Sequence, residues 1–303
     1  MKNKVLTGLL LVLIGGWGNL LAQNAGSNYA RQVNTLIGTK GVGLTSGYLY
    51  PGATYPYGMV QFTPSYFSKR SGFVINQLSG GGCEHMGNFP TFPVKGKLKM
   101  SPDNILNYRI NISEEKGHAG YYEAMVQEDI KAKLTVTERT GMASYEYPAD
   151  QQYGTVIIGG GISATPIEQA AIVITAPNKC EGYAEGGNFC GLRTPYKVYF
   201  VAEFDADALE SGTWKRDELK PNTTFAEGEY SGVYFTFDVS KKKNVQYKIG
   251  VSYVSVENAR ENLKAENTGW DFLQIQNQAE SKWNHYLGKI EVEGTNPDRT
   301  TQF

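Results

Sequence analysis

Apolar and polar residues alternate along several short stretches of the chain, which is the pattern of a β-strand with one buried and one solvated face. Residues 170–175 and 198–204 are almost continuously apolar, and turn sequences rich in Gly, Pro, Asn and Asp separate these segments. None of the segments is followed by a convincing crossover helix. The pattern predicts a mainly β fold, an antiparallel β-sandwich. The alternating stretches are residues 130–136, 245–253, 108–112 and 143–147.

The pattern changes after Ser255. Residues 256–267 favour a modest helix, and from Asp271 the apolar residues recur at spacings of three and four, as on one face of an amphipathic helix. Gly288 ends this helix, residues 290–292 favour a short strand, and Pro297 begins another helix. The apolar positions of the amphipathic helix are Phe272, Ile275, Ala279, Trp283, Tyr286 and Leu287.

The first residues have the organisation of a bacterial-type signal peptide. Lys2 and Lys4 precede an apolar stretch at 5–14, and Ala22 is a small residue at a cleavage position. The stretch is shorter than the roughly 20 residues that a membrane span needs. We expect cleavage near Gln23 and an exported protein (periplasmic, cell-surface or secreted) with no membrane span after cleavage. An uncleaved anchor is the alternative.

Two helices after an all-β region are typical of a connector to a further domain. We therefore expect a signal peptide at 1–22, a β-sandwich domain at 23–254, and a helical linker at 255–303 that begins a truncated C-terminal domain. The apolar face of the linker is expected to find no partner within this chain and to be exposed.

Composition narrows the function classes. The formal net charge is -1, so we expect no basic surface for nucleic acid. The three cysteines, Cys83, Cys180 and Cys190, suit an exported protein, and one is left over after any single disulfide. Cys180 and Cys190 could close a short loop, but the sequence does not choose among three pairings. None of the three has the spacing of zinc ligands.

The densest group of Gly, Pro and aromatic residues lies at 33–93. Structured loops of this kind form binding surfaces, and aromatic faces beside amide and hydroxyl groups suit sugars. The equally weighted alternative is that the aromatics are core and the glycines are turns. His85 lies in this region and is a candidate ligand contact. The triple glycine at 80–82 lacks the Lys and helix start of a phosphate cradle, and no carboxylate pair stands out as an acid and base.

Nine sequence blocks, in order, resemble the N-terminal part of glycoside hydrolase family 92, a family of exo-acting α-mannosidases. The resemblance extends from about residue 32 to residue 303, nearly the whole mature chain. The blocks are VNTLIGT, YPGATYPYGMVQFTP, LSGGGC, GNFPTFP, GYYEAMV, LTVTERTG, FCG with PYKVYFVAEF, GVSYVSVENARENL, and W-x-x-x-LGKIEVEG.

The resemblance implies a galactose-mutarotase-like β-supersandwich, a helical linker and a C-terminal (α/α)6 catalytic barrel, of which the barrel is absent here. It implies inverting hydrolysis that depends on calcium, with a Glu acid and an Asp base flanking the bond. These residues and the calcium ligands belong to the barrel, so no catalytic residue, metal ligand or cofactor is assigned within this chain. The implied partners are a mannose-containing glycan and the missing barrel.

The resemblance also implies a sugar-facing surface on this domain. Tyr50 matches an aromatic before Pro-Gly-Ala, an expected sugar platform, and Phe189 stands where the family has the Trp of a Trp-Cys-Gly block. Residues 79–83 match a Ser-Gly-x-Gly-Cys loop that faces the barrel. Many members carry a Ser-His-Thr-His-Leu run and a Trp-containing insert before this loop, and the short segment 69–77 departs from both, which leaves the linkage preference open. The candidate residues are Tyr50, Ser79, Gly80, Gly81, Gly82, Cys83, His85 and Phe189.

Two functions are consistent with these features. The first is the sandwich-plus-linker portion of an exported exo-α-mannosidase, α-1,2-mannosidase-like, that acts in the breakdown of glycans or glycoproteins and is inactive alone. The alternative is a stand-alone carbohydrate-binding module without catalysis.

Overall fold

A computed structural model describes residues 28–39, 49–65, 72–103, 111–292, 294 and 296–302. The predicted signal peptide at 1–22 and most of the alternating stretch at 108–112 lie outside the described residues. So do residues 69–71, which belong to the short segment before the glycine-rich run.

The described residues form two antiparallel sheets. The first sheet has the strand order β1-β2-β3-β4-β9-β16-β13-β14 and the second the order β15-β10-β11-β12-β17-β8-β7-β6-β5. The predicted antiparallel β-sandwich is therefore confirmed. The strands are β1 (Ala53–Thr54), β2 (Gln61–Pro64), β3 (Phe73–Val74), β4 (Thr91–Lys95), β5 (Ile112–His118), β6 (Tyr121–Val126), β7 (Ile130–Val136), β8 (Thr140–Glu146), β9 (Tyr153–Gly159), β10 (Ile167–Ala176), β11 (Lys179–Phe189), β12 (Leu192–Phe204), β13 (Glu210–Lys215), β14 (Glu218–Pro221), β15 (Phe225–Glu227), β16 (Ser231–Asp238) and β17 (Asn244–Ser252).

The core lies between the two sheets. On β7, Ile130 and Leu134 are fully buried while Lys131 between them is partly exposed, so the predicted alternation separates a core face from a wet face. Phe204 of β12 packs against Phe235 of β16 in the opposite sheet, with ring centroids 4.9 Å apart. Burial of each such aromatic ring stabilises the fold by about 1.5–3 kcal/mol.

Four helices accompany the sheets in the described residues. They begin where a polar side chain caps the first turn: Ser255 accepts from the amide of Asn258, and Asp271 accepts from the amide of Gln274. The two predicted linker helices and the helix that begins at Pro297 are confirmed. The helices are α1 (Tyr29–Gln32), α2 (Val256–Glu266), α3 (Phe272–Leu287) and α4 (Pro297–Gln302).

The apolar face of α3 is packed on the sandwich, and the prediction that it lacks a partner in this chain is wrong. Ile275 is 5% exposed and Ala279 is fully buried. A Cβ atom at Gly120, in the β5–β6 turn, would stand only 2.9 Å from the Cβ of Ala279, so glycine permits this close approach. The Trp283 indole donates a hydrogen bond to the carbonyl of Thr54 at 2.7 Å.

The strand expected at residues 290–292 is not formed. Ile290 and Val292 are largely exposed, and none of the described strands pairs with this segment. A strand needs the edge of another strand for its backbone hydrogen bonds, so a three-residue segment that faces solvent stays irregular. None of the helices in the described ranges has the length and apolar content that a bilayer-spanning helix needs.

Candidate functional site

The glycine loop, residues 79–83, connects the β3 region to the rest of the first sheet and is held at both ends. The backbone amide of Tyr50 donates a hydrogen bond to Ser79 Oγ at 3.2 Å, and Cys83 is bonded to Cys190. Gly80 and Gly82 both have φ of +74°, a left-handed backbone that favours glycine. Gly80 and Gly81 are exposed, so the loop presents bare backbone to solvent.

The Cys83–Cys190 disulfide joins this loop to the turn between β11 and β12. The two Cα atoms are 5.5 Å apart, although 107 positions separate the residues in sequence. The short Cys180–Cys190 loop, one of the pairings that sequence left open, does not form. Cys180 is buried near the start of β11 and Cys190 follows its end, so an extended strand holds them about 30 Å apart.

Phe189 and His85 form an aromatic pair beside the glycine loop. The Phe189 ring lies against Gly81, where an added Cβ atom would be 3.5 Å from the ring. The His85 ring is 5.1 Å from the Phe189 ring and 5.6 Å from the Tyr196 ring, measured between centroids. Its Nδ1 atom lies 3.3 Å from the carbonyl oxygen of Asn188, a contact that requires the proton on Nδ1.

His85 therefore supports the site from beneath. It is 6% exposed, whereas Phe189 is partly exposed and Cys190 is exposed. A histidine enclosed by two rings and a carbonyl positions Phe189 and the turn that carries it. A direct contact between His85 and a ligand stays a prediction.

Tyr50 is buried in this structure. It is 5% exposed, and its backbone amide bonds the glycine loop through Ser79. Its role as a sugar platform stays a prediction. The Phe189 ring, by contrast, is partly exposed beside bare glycine backbone.

A buried amide network below the loop was not anticipated from the sequence. Asn76 and Asn88 bond to each other twice. The backbone N–H of Asn88 donates to Asn76 Oδ1 at 2.8 Å, and Asn76 Nδ2 donates to Asn88 Oδ1 at 3.1 Å. The Tyr196 hydroxyl also donates to Asn88 Oδ1, at 2.9 Å. The network ties β12 to both flanks of the glycine loop. No sequence signal separates these two asparagines from surface ones, because their pairing is a tertiary contact.

An ionisable side chain follows the glycine loop directly. The nearby carboxyl is that of Glu84, half-buried, and burial raises its pKa above the usual value. In the part of the chain that the structure describes, no three His, Cys, Asp or Glu side chains converge as metal ligands would. By resemblance the calcium ligands belong to the catalytic barrel, so no metal-dependent step is assigned to the described residues.

Sequence and structure comparisons agree on the family. The profile of the glycosyl hydrolase family 92 N-terminal domain matches residues 32–252, and that of the family's catalytic domain matches residues 258–303. An uncharacterized secreted glycosidase of Arthroderma benhamiae is 26% identical over 301 residues, which cover 86% of this chain and 38% of the relative.

Two solved structures share the fold. A family 92 α-mannosidase of Bacteroides thetaiotaomicron superposes with a TM-score of 0.77 at 24% identity, over 91% of this chain and 40% of its own. A family 92 inverting mannosidase of the same organism gives a TM-score of 0.75 at 23% identity, over 91% and 38%. The chain thus spans about two fifths of the length of these relatives. With most of its length matched by the N-terminal domain profile, the chain belongs to glycosyl hydrolase family 92.

Proposed function

We propose that this chain is the N-terminal domain and linker of an exported, calcium-dependent, inverting exo-α-mannosidase, α-1,2-mannosidase-like, that acts on mannose-containing glycans or glycoproteins. Residues 1–22 are the signal peptide, 23–254 the sandwich domain, and 255–303 the linker and the start of the catalytic domain. The glycine loop and Phe189 lie at the rim of the mannose site. The described residues alone are inactive.

One observation carries the proposal. Two loops that are distant in sequence are joined by the Cys83–Cys190 bond, and together they present exposed glycine backbone beside the Phe189 ring. Backbone amides and carbonyls can bond sugar hydroxyls, and an aromatic ring can stack on the C–H face of a pyranose. The names of the relatives, a secreted glycosidase and two mannosidases, support the substrate class and export.

The chemistry then divides between the two domains. In an inverting glycosidase one carboxylic acid protonates the leaving oxygen, and a carboxylate about 6.5–9.5 Å away activates water on the opposite face. Those groups belong to the catalytic domain. This chain orients the terminal mannose and shields one side of it from water. The reacting carbon is thereby held between the two carboxylates.

The test joins this chain to a catalytic domain. A chimera carries residues 1–303 followed by the remainder of the catalytic domain of the solved family 92 α-mannosidase. We expect mannose release from α-1,2-mannobiose with inversion, abolished by a calcium chelator, and no release by this chain alone. The control is the catalytic domain without the sandwich. A chimera that is folded by circular dichroism yet inert on α-mannosides would overturn the proposal.

A stand-alone carbohydrate-binding module is a second candidate, favoured by one observation. Ile275 and Ala279 on the apolar face of α3 are buried on the sandwich, so within the described residues this helix packs on the domain that precedes it. The module would bind mannose or mannan with calorimetrically measurable affinity and no hydrolysis. Absence of binding by the folded chain, together with an active chimera, decides for the enzyme.

A further inference from the structure

A groove lies beside the glycine loop, and Phe189 is not among the residues that line it. It lies between residues 54–61, residues 76–79 and Trp283, and its volume is about 320 Å³. That is at the small end of the roughly 300–1,000 Å³ of small-molecule sites. We call it the Trp283 groove. Its three walls come from the β1–β2 segment, the approach to the glycine loop, and helix α3.

Two aromatic residues line the groove, Tyr55 and Trp283, and the polar atom of the Trp283 ring is already hydrogen-bonded. The indole N–H of Trp283 is bonded to the carbonyl of Thr54 at 2.7 Å. What the partly exposed indole offers to the groove is therefore carbon surface, held in a fixed orientation by that bond. A rigid, oriented indole is suited to stacking on a flat apolar face, such as the C–H face of a pyranose.

Polar side chains stand around this ring. Gln61 lines the groove and is partly exposed, so its side-chain amide can reach a bound group. The Ser79 hydroxyl lines it as well. Gln77 also lines the groove, but it is 1% exposed and its amide oxygen lies against Gly87, outside the groove. The amide of Gln77 is therefore not a ligand contact.

Charge defines the ligand class. Every residue that lines the groove in the described part of the chain has an uncharged type. Tyr55 stays neutral, because burial and then the nearby Glu138 carboxylate raise its pKa. A phosphate or a carboxylate finds no counter-charge among the lining residues, whereas a neutral polyhydroxyl compound finds an amide, the Ser79 hydroxyl and a ring face.

The groove is also continuous with the rim of the proposed mannose site. Ser79 lines the groove and is the first residue of the glycine loop, and Phe189 lies against Gly81, two residues later. Two residues span at most about 7 Å. The groove and the Phe189 ring are thus close enough to hold neighbouring sugars of one glycan.

We propose that the Trp283 groove is a second, neutral-sugar subsite that takes one pyranose ring, stacked on Trp283 and hydrogen-bonded to Gln61 and Ser79. The choice of mannose as the sugar rests on the proposed function. The existence of a neutral-sugar site rests on the groove alone.

The test measures binding of α-1,2-mannobiose and methyl α-mannoside to the full chain by saturation-transfer NMR and calorimetry. Trp283→Phe and Trp283→Leu form a matched pair, because both lose the bond to Thr54 and only the leucine loses the ring. We expect Trp283→Phe to bind within about threefold of the wild type and Trp283→Leu to bind about tenfold more weakly. Equal binding by the two variants overturns the proposal.

Two glutamine variants provide further readouts. Gln61→Ala should weaken mannobiose binding about three- to tenfold, and Gln169→Ala, an exposed glutamine on β10, should leave it unchanged. Gln77→Leu should raise the melting temperature and leave binding unchanged, because a buried unpartnered amide outside the groove is replaced by an apolar group. Equal binding by the wild type and Gln61→Ala would show the groove to be a packing gap.

Failure of this proposal can be told apart from failure of the proposed function. A wild-type chain that binds no neutral sugar at millimolar concentration, while the chimera hydrolyses α-mannosides, overturns the groove and leaves the enzyme. Binding that depends on Trp283 but occurs in an inert chimera keeps the groove and overturns the mannosidase. Binding lost in Phe189→Ala but retained in Trp283→Leu assigns the sugar to the glycine loop alone.

Discussion

Glu280 and Arg31 are 249 positions apart in the chain, and their side chains meet in a salt bridge with Arg31 Nε 3.0 Å from Glu280 Oε2. The same carboxylate accepts a hydrogen bond from Gln276 at 2.7 Å and lies 3.6 Å from Nε2 of His118. Glu280 is 4% exposed. This one side chain joins α1, the end of β5 and α3, so it holds α3 on the sandwich.

Replacing Glu280 should loosen the linker. We expect Glu280→Leu to lower the free energy of unfolding by about 1–3 kcal/mol, because its neutral partners lose their acceptor. The effect stays below that of a fully buried ion pair, since Arg31 is 56% exposed and can turn to solvent. Urea denaturation measures it, with Glu261→Gln on the exposed face of α2 as the control. Equal stability of the two variants would contradict the role of Glu280.

Stability should fall as the pH drops below about 6.5. Burial lowers the pKa of His118, and the Glu280 carboxylate beside it does not offset this effect. The unfolded chain, with a histidine pKa of about 6.5, then binds more protons than the folded chain, so acidification favours unfolding. His118→Asn should remove this decline in melting temperature between about pH 7 and pH 5. An unchanged pH profile in the variant would assign the decline to other groups.

A second decline is expected at lower pH, from Glu280 itself. Burial opposes its ionisation, but the hydrogen bonds from Arg31, Gln276 and Asn28 outweigh burial, and its pKa lies below the usual value. A depressed carboxyl pKa contributes stability above its unfolded value of about 4.3, and this is lost as the pH falls through the folded pKa. Glu280→Gln should reduce the loss of melting temperature between about pH 4.5 and pH 3. An identical acid limb in wild type and variant would refute this assignment.

The disulfide should be a major source of stability. Its two cysteines are 107 positions apart, and closing a loop of about 100 residues stabilises by about 5 kcal/mol in the chain-entropy description. We expect the Cys83→Ser, Cys190→Ser double variant to unfold with its midpoint at a lower urea concentration than the wild type.

Thiol labelling checks the pairing directly. After mild reduction of the folded protein, iodoacetamide should modify Cys83 and the exposed Cys190. It should spare Cys180, which is buried and whose thiol pKa burial raises. Early labelling of Cys180, with Cys83 and Cys190 protected, would refute the arrangement.

Phe189 should be replaceable only by another aromatic residue. We expect Phe189→Ala to weaken α-1,2-mannobiose binding about tenfold and Phe189→Trp to preserve or tighten it, because stacking needs a flat ring. Phe225→Ala, which removes an exposed ring on the edge strand β15, is the matched control. If both alanine variants bind alike in calorimetry, Phe189 is not a sugar platform.

The sequence predicted the parts of this protein that depend on local periodicity. The period-2 alternation at 130–136 places Ile130 and Leu134 in the core, and the 3.6-residue spacing after Asp271 gives the observed helix up to Leu287. These succeed because backbone geometry converts residue spacing directly into a buried face. The strand predicted at 290–292 is wrong, because whether so short a segment forms a strand depends on a neighbouring strand and not on its own spacing.

The site required the tertiary structure. The sequence singled out a glycine-rich loop, three cysteines and a set of aromatics, but gave equal weight to surface and core and to three disulfide pairings. In the folded protein Tyr50 is buried, His85 lies under Phe189, and Cys83 is bonded to Cys190. Each of these outcomes depends on which segments meet in space, and residue spacing along the chain does not show that.

The sequence by itself determined the β-sandwich, the helical linker and the membership in family 92. The tertiary structure decided that the linker packs on this sandwich, through Trp283 and Glu280, and that a neutral groove lies at that junction. The physical reason is that burial and hydrogen bonding act between residues more than 200 positions apart, where the local spacing of side chains carries no information.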